Sequence, residues 1–311
     1  MEILLAVVGL VILVIGGDIL VRGAVALSLR LGVPALIVSL TIVAFGTSAP
    51  ELLISIKAAL ENAPGLAFGN IVGSNIANVM LVLGVPAVMA GIDPKASDTR
   101  SSYLQMLAAT VVLIALMFLG PMHIWHGLVL LALLAAMLGH TMVTARRARS
   151  ATLDPDFDPD EAASVPTWRA VVYIAIGIVS LPIGADILVD AARDIALQVG
   201  VSDEVIGLTL VAIGTSLPEL ATTVMAAIRR QADVILGNVI GSNMLNILAI
   251  MGVTSLFGPL AVDPHLLKVD VWVMLVTALM VAPLALWKLR MSRGVGLAFL
   301  GLYAVYMVTL F

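Results

Sequence analysis

Two short segments set a carboxylate beside a helix breaker inside long apolar runs: Gly46-Thr47-Ser48-Ala49-Pro50-Glu51 and Gly214-Thr215-Ser216-Leu217-Pro218-Glu219. An ionisable group at the bilayer centre costs at least ~2.5 kcal/mol on insertion scales, so a glutamate there needs a reason. Proline removes a backbone donor and clashes with the carbonyl of the preceding turn, and Gly46 weakens the helix further. The first of these helices is therefore expected to break around Thr47, freeing the carbonyls of Ala44 and Thr47 for a cation. Ser48 with Glu51, and Ser216 with Glu219, also fit the spacing of a capping box, which would only close a helix N-terminus. Ser or Asn would cap at lower cost than a buried charge, so two glutamates at matched positions read as functional.

A second motif puts Asn70, Ser74 and Asn78 on one helical stripe and repeats it as Asn238, Ser242 and Asn246. Ser74, Asn78, Ser242 and Asn246 are read as cation ligands facing the glutamates. For Asn70, Asn75, Asn238 and Asn243, holding helices together competes equally with ligation. Gly69 with Gly73, and Gly237 with Gly241, have the small-xxx-small spacing that lets backbones approach. Carboxylates, amides, hydroxyls and carbonyls form an all-oxygen set suited to hard cations such as Ca²⁺ and Na⁺. Two glutamates balance one Ca²⁺ in charge, and Na⁺ around the same carboxylates would exclude it.

The elements that must position these groups follow from composition. The chain is 61% hydrophobic and 12% charged over 311 residues, too apolar for water to be its main solvent. Apolar runs near 3–28, 36–59, 65–90, 102–120, 124–145, 169–197, 204–228, 233–258, 269–288 and 293–311 predict ten membrane helices. The first run follows Glu2 without a basic segment or small-residue cleavage site and is expected to be retained. Thirteen of the sixteen Lys and Arg fall on one side of that topology, leaving Lys57, Arg193 and Lys268 on the other. The positive-inside rule then puts both termini outside the cytoplasm. Absence of cysteine excludes disulfides and thiolate chemistry, and a net charge of -4 gives no field for nucleic acid. The polar stretch 146–168 is expected to be a cytoplasmic linker. Its aspartates 154, 156, 158 and 160 resemble a calcium loop, but Pro159 and Val165 stand where Gly and Glu are needed.

The two halves repeat at an offset of 168 residues: GGDILV at 16–21 returns as GADILV at 184–189, and VAFGTSAPEL at 43–52 as VAIGTSLPEL at 211–220. Residues 1–145 and 169–311 are thus expected to be two five-helix units, and an odd helix number inverts the second in the membrane. Inverted repeats are an architecture of secondary transporters, with substrate held between the copies near the midplane. Asp18 is expected to pair with Arg22, while Asp186 has Asp190 at that spacing; both aspartates read as structural or gate-lining. His123, His126, His140 and His265 lie outside the motifs and are not expected to be ligands.

The paired GTSxPE and GNxxGSNxxN segments resemble the alpha-repeats of the cation/Ca²⁺ exchanger superfamily, in particular its prokaryotic Na⁺/Ca²⁺ exchanger-like branch. The resemblance implies the sodium/calcium exchanger fold, an all-α integral membrane protein of ten transmembrane helices in two inverted repeats. It implies that Glu51 and Glu219 are shared ligands of Ca²⁺ and Na⁺, with Asn78 and Asn246 beside them. The hydroxyls of Ser48, Ser74, Ser216 and Ser242, the Thr47 and Thr215 groups, and the carbonyls of Ala44 and Ala212 would complete the Na⁺ sites. Some archaeal relatives carry an acid where this chain has Asn246, so a third carboxylate is missing. The expected activity is antiport of Ca²⁺ against Na⁺ in a prokaryotic cytoplasmic membrane, by a lipid-embedded monomer without organic cofactor, with sliding of the first and sixth helices. H⁺ coupling or K⁺ dependence is the main alternative. A passive channel or an intramembrane hydrolase fits less well, since no His or Lys joins the repeated constellation to act as a base.

Overall fold

The computed structural model describes residues 1–94, 98–148, 166–198 and 213–309, with side chains 144–148 and 309 left aside. It consists of helices: α1 (Glu2–Leu31), α2 (Ala35–Thr47), α3 (Ala49–Leu60), α4 (Pro64–Ala90), α5 (Arg100–Phe118), α6 (Ile124–Ala148), α7 (Thr167–Gln198), α8 (Leu217–Ile228), α9 (Ala232–Thr254), α10 (Leu266–Trp287) and α11 (Arg293–Thr309). Among the described residues seven helices are long and apolar enough to cross a bilayer, or eight when the bent pair α2–α3 counts as one. Most of the 146–168 segment, and the start of the span expected at 204–228, lie outside the described residues.

Burial sorts the helices into layers that respect the repeat. The central stretch of α9 is 94% buried and that of α4 78%, whereas α1 and its mate α7 are each only 28% buried. The two motif-bearing helices therefore form the middle, and α1 and α7 lie outside with apolar faces for lipid. These outer helices pack antiparallel along a glycine seam. A Cβ on Gly9 would sit 2.8 Å from the Gly184 carbonyl, and one on Gly177 3.1 Å from the Gly16 carbonyl. Only hydrogen at these seven-residue intervals lets the backbones come so close.

Two isolated antiparallel bridges tie the ends together, Ile92 with Met291 and Met122 with Leu260. Leu260 is the repeat equivalent of Ile92, so the bridges are mates, one at each end of the bundle. That is what an inverted duplication produces.

Candidate cation site

The helix carrying the first motif breaks where the proline requires. α2 and α3 meet at Ser48 with a bend of 46°. Ser48 has φ −84° and ψ 9°, and Ser216 before α8 has φ −87° and ψ 2°, so both copies turn alike. Neither serine side chain caps its helix, which removes the capping-box explanation. Ser48 Oγ instead donates 3.1 Å across the molecule to Glu219 Oε1. Upstream, Ser39–Val43 winds as a π-helical turn, with the Ser39 hydroxyl bonded 2.8 Å to the Val234 carbonyl of α9.

Glu51 and Glu219 are 1% and 0% exposed. They come from opposite repeats and lie close enough for their charges to interact, with Thr47, Ser48 and Ser242 near the Glu219 carboxylate. Asn70 and Asn238 hold matched backbone points: their amides donate to the Glu51 carbonyl at 2.9 Å and the Glu219 carbonyl at 3.5 Å. Thr47 Oγ1 donates to Asn238 Oδ1 at 3.3 Å. Asn78 Nδ2 donates to Asn243 Oδ1 at 3.1 Å, and Asn243 Nδ2 to the Asn75 carbonyl at 3.4 Å. Asn75 Nδ2 donates to the Ile71 carbonyl at 2.7 Å, so Asn70, Asn75, Asn238 and Asn243 each make side-chain bonds within the protein, with Asn75 Oδ1 left over.

Several of the groups expected to be ligands, and Asn75 Oδ1 with them, are left without partners. Among the described residues Glu51 Oε2, Glu219 Oε2, Asn78 Oδ1, Asn246 Oδ1, Ser216 Oγ and Ser242 Oγ are all buried without a protein hydrogen-bond partner. Buried polar atoms are almost always paired, so six such oxygens on the expected residues need an explanation. A desolvated cation supplies one. Ser74 and Thr47 are buried in the same motifs, and Thr215 is 9% exposed. Ala212 lies outside the described residues.

One expectation needs correcting. The Ala44 carbonyl is not free: it accepts the Ser48 N–H at 3.0 Å and the Thr47 hydroxyl at 3.3 Å. The chain bends sharply only after Thr47, so the helical bond from Ser48 back to Ala44 survives. The second glycine pair packs as its spacing suggests, since a Cβ on Gly237 would lie 2.7 Å from the Leu36 carbonyl and one on Gly241 would strike the Leu40 carbonyl. Nothing among the described residues comes within 4 Å of Gly69 or Gly73; residues 204–212, equivalent to the segment that covers Gly237 and Gly241, are not described.

Three groups escaped the sequence reading. Ser55 accepts from Asn70 Nδ2 at 2.9 Å, and its repeat mate Thr223 donates 3.2 Å to the Val82 carbonyl, at the interruption of α4. A hydroxyl one turn after each glutamate, at the common offset, was the available signal. The third is Arg229: Asp18 pairs with Arg22 at 3.0 Å as expected, but also with Arg229 at 2.6 Å. Of the histidines, His126 is buried and stacked on Trp125 at the start of α6. Among the described residues no three His, Cys, Asp or Glu side chains gather as a metal cage. The site has two acids among neutral oxygens.

The family described as sodium/calcium exchanger protein matches residues 1–143 and 169–311. The inner membrane protein YrbG of Escherichia coli is 33% identical over 99% of this chain and 96% of its own length. The sodium/calcium exchanger MaX1 of Methanosarcina acetivorans is 31% identical over 99% of this chain and 98% of its own. Among solved structures, the sodium-calcium exchanger NCX_Mj superposes with a TM-score of 0.84 at 32% identity, covering 100% of this chain and 99% of that one. The fold is accordingly ten membrane-spanning helices in two inverted five-helix repeats.

Proposed function

The chain belongs to the sodium/calcium exchanger protein family, and on that premise we propose that it exchanges Ca²⁺ for Na⁺ across a prokaryotic cytoplasmic membrane by alternating access. The observation that carries this reading is the set of six buried, unpartnered oxygens contributed by both repeats. Ca²⁺ takes six to eight oxygen ligands, and two carboxylates neutralise it in a medium where an uncompensated charge is costly. Two acids rather than three or more leave the loaded pocket neutral, which suits an ion that must be released each cycle.

Glu51 and Glu219 are the shared carboxylates in this reading, with Asn78, Asn246, Ser74, Ser242 and Ser216 beside them. Ser48, Thr47, Thr215 and the carbonyls of Ala44 and Ala212 serve Na⁺, the Ala44 carbonyl by trading a hydrogen bond for the ion. Na⁺ at these oxygens displaces Ca²⁺, and that exclusion couples the two fluxes. Residues 1–145 and 169–311 act as the opposed repeats, with 146–168 as the connection on the cytoplasmic side.

The test is ⁴⁵Ca²⁺ uptake into proteoliposomes under Na⁺, K⁺ or H⁺ gradients imposed one at a time. Uptake driven by outward-directed Na⁺ alone is expected. Uptake that ignores Na⁺ and follows the pH gradient would establish H⁺ coupling instead. Glu51→Gln and Glu219→Gln should each abolish uptake while the protein still inserts and elutes as a single species. Near-normal flux in both would overturn the site.

A further inference from the structure

The site does not use Asp18, Arg22 or Arg229, yet these form two close ion pairs. Arg229, at the end of α8, places Nε and a terminal nitrogen each 2.6 Å from Asp18 Oδ1, and Arg22 Nε lies 3.0 Å from Oδ2. The Arg229 and Asp18 side chains are 26% and 22% exposed, so the pair is partly shielded from solvent. It joins the outer helix α1 to a helix that carries a site glutamate, across 211 residues of sequence.

The repeat supplies a comparison within the molecule. Asp18, Arg22 and Arg229 correspond to Asp186, Asp190 and Glu61, so the mate of a cation-clasped carboxylate is three acids. The packing is just as unequal. α1 lies along α8, where a Cβ on Gly17 would sit 2.9 Å from the Ala221 carbonyl and 3.3 Å from Met225 Cγ. α7 makes no comparable contact with α3, and Leu53, the mate of Ala221, is 69% exposed.

We propose that the Asp18–Arg229 pair, buttressed by Arg22, is a one-sided clasp that holds shut the mouth between α1 and α8 and biases the exchanger toward this state. The proposal rests on alternating access as read above. When the repeats trade conformations, α7 comes to lie on α3 as α1 now lies on α8, and Asp186 then meets Glu61. Attraction in one state becomes like-charge repulsion in the other. Lys57 and Arg193 are the basic residues nearest that second mouth in sequence, but neither stands at the equivalent of Arg22 or Arg229, and Lys57 pairs with Glu61 at 3.8 Å.

The chain has no cysteine, so Met225→Cys gives a single thiol under the clasp. Its alkylation by a soluble maleimide in nanodiscs without Ca²⁺ or Na⁺ reports opening of that mouth, and needs no transport. Arg229→Gln and Asp18→Asn should each raise the labelling rate about fivefold, a range set by partly exposed ion pairs. Arg229→Lys should leave it near the parent rate. Glu61→Arg should raise it as well, from the opposite mouth, because it gives Asp186 a partner in the alternate state; a purely local packing role for Arg229 would leave that variant unmoved. An unchanged rate in both Arg229→Gln and Asp18→Asn, or in Glu61→Arg, overturns the clasp.

Discussion

Ser48 and Ser216 occupy matched positions, yet among the described residues Ser48 has a carboxylate partner and the buried Ser216 Oγ has none. A hydrogen bond to a charged group contributes about 1.5–3 kcal/mol, whereas removing a buried unpaired hydroxyl costs little stability. Ser48→Ala is therefore expected to lower the melting temperature of ion-free protein in detergent, and Ser216→Ala to leave it unchanged or raise it. Both should weaken Na⁺ competition with Ca²⁺, read from the Na⁺ dependence of ⁴⁵Ca²⁺ uptake. Equal melting temperatures would mean that the two serines contribute alike. This asymmetry was not legible in the sequence, where the serines sit in near-identical motifs. Which carboxylate a hydroxyl faces is set by how the two repeats pack against each other. The residues themselves were legible, because a carboxylate in an apolar run has few uses. The partner of Asp18 was only half so: Arg22 is one turn away, but Arg229 becomes a neighbour only through the fold.

At the scale of elements, the break at Ser48 was readable because Pro50 lacks the donor and carries the ring that ends a helix. The π-helical turns at Ser39–Val43, Asn246–Ile250 and Leu266–Asp270 were not, since no residue in them forbids an α-turn. The first of them coincides with a tertiary contact: Ser39, at its start, bonds to the α9 backbone. The repeated glycines of GGDILV and GADILV were visible, but not that the two copies would face one another as a seam between α1 and α7. That seam makes a sharp prediction. A Cβ on Gly9 would lie 2.7 Å from the Leu188 nitrogen and 2.8 Å from the Gly184 carbonyl, both backbone atoms with nowhere to go. Gly9→Val is expected to cost about 1–3 kcal/mol as an overpacked contact, seen as a lower melting temperature and slower exchange. Gly301→Ala, on an exposed face where nothing described lies within 4 Å, should be neutral or slightly stabilising. A Gly9→Val protein that melts with the parent would show that α1 and α7 do not hold this register.

For the whole molecule, the decisive quantity is sidedness, because it says which solution the clasped mouth faces. The bridges divide the loops into two ends, with Ile92 and Met291 at one and Met122 and Leu260 at the other. The first end also gathers Arg290, which approaches Gly91, and Arg293, whose guanidinium donates to the Met89 carbonyl. Arg22 and Arg229 meet on Asp18, as residues of one face must. The ten-helix topology read from the sequence puts these four arginines among the thirteen of sixteen basic residues on one side, and positive loops resist translocation. That end, with the clasp, should therefore face the cytoplasm, and the two ends of this chain the other compartment. Alkaline phosphatase fused after Phe311 is expected to be active in intact bacteria, and green fluorescent protein at the same point to stay dark. A bright fluorescent fusion would reverse the assignment. The clasp would then close the outer mouth, so Arg229→Gln would raise access from outside rather than from the cytoplasm.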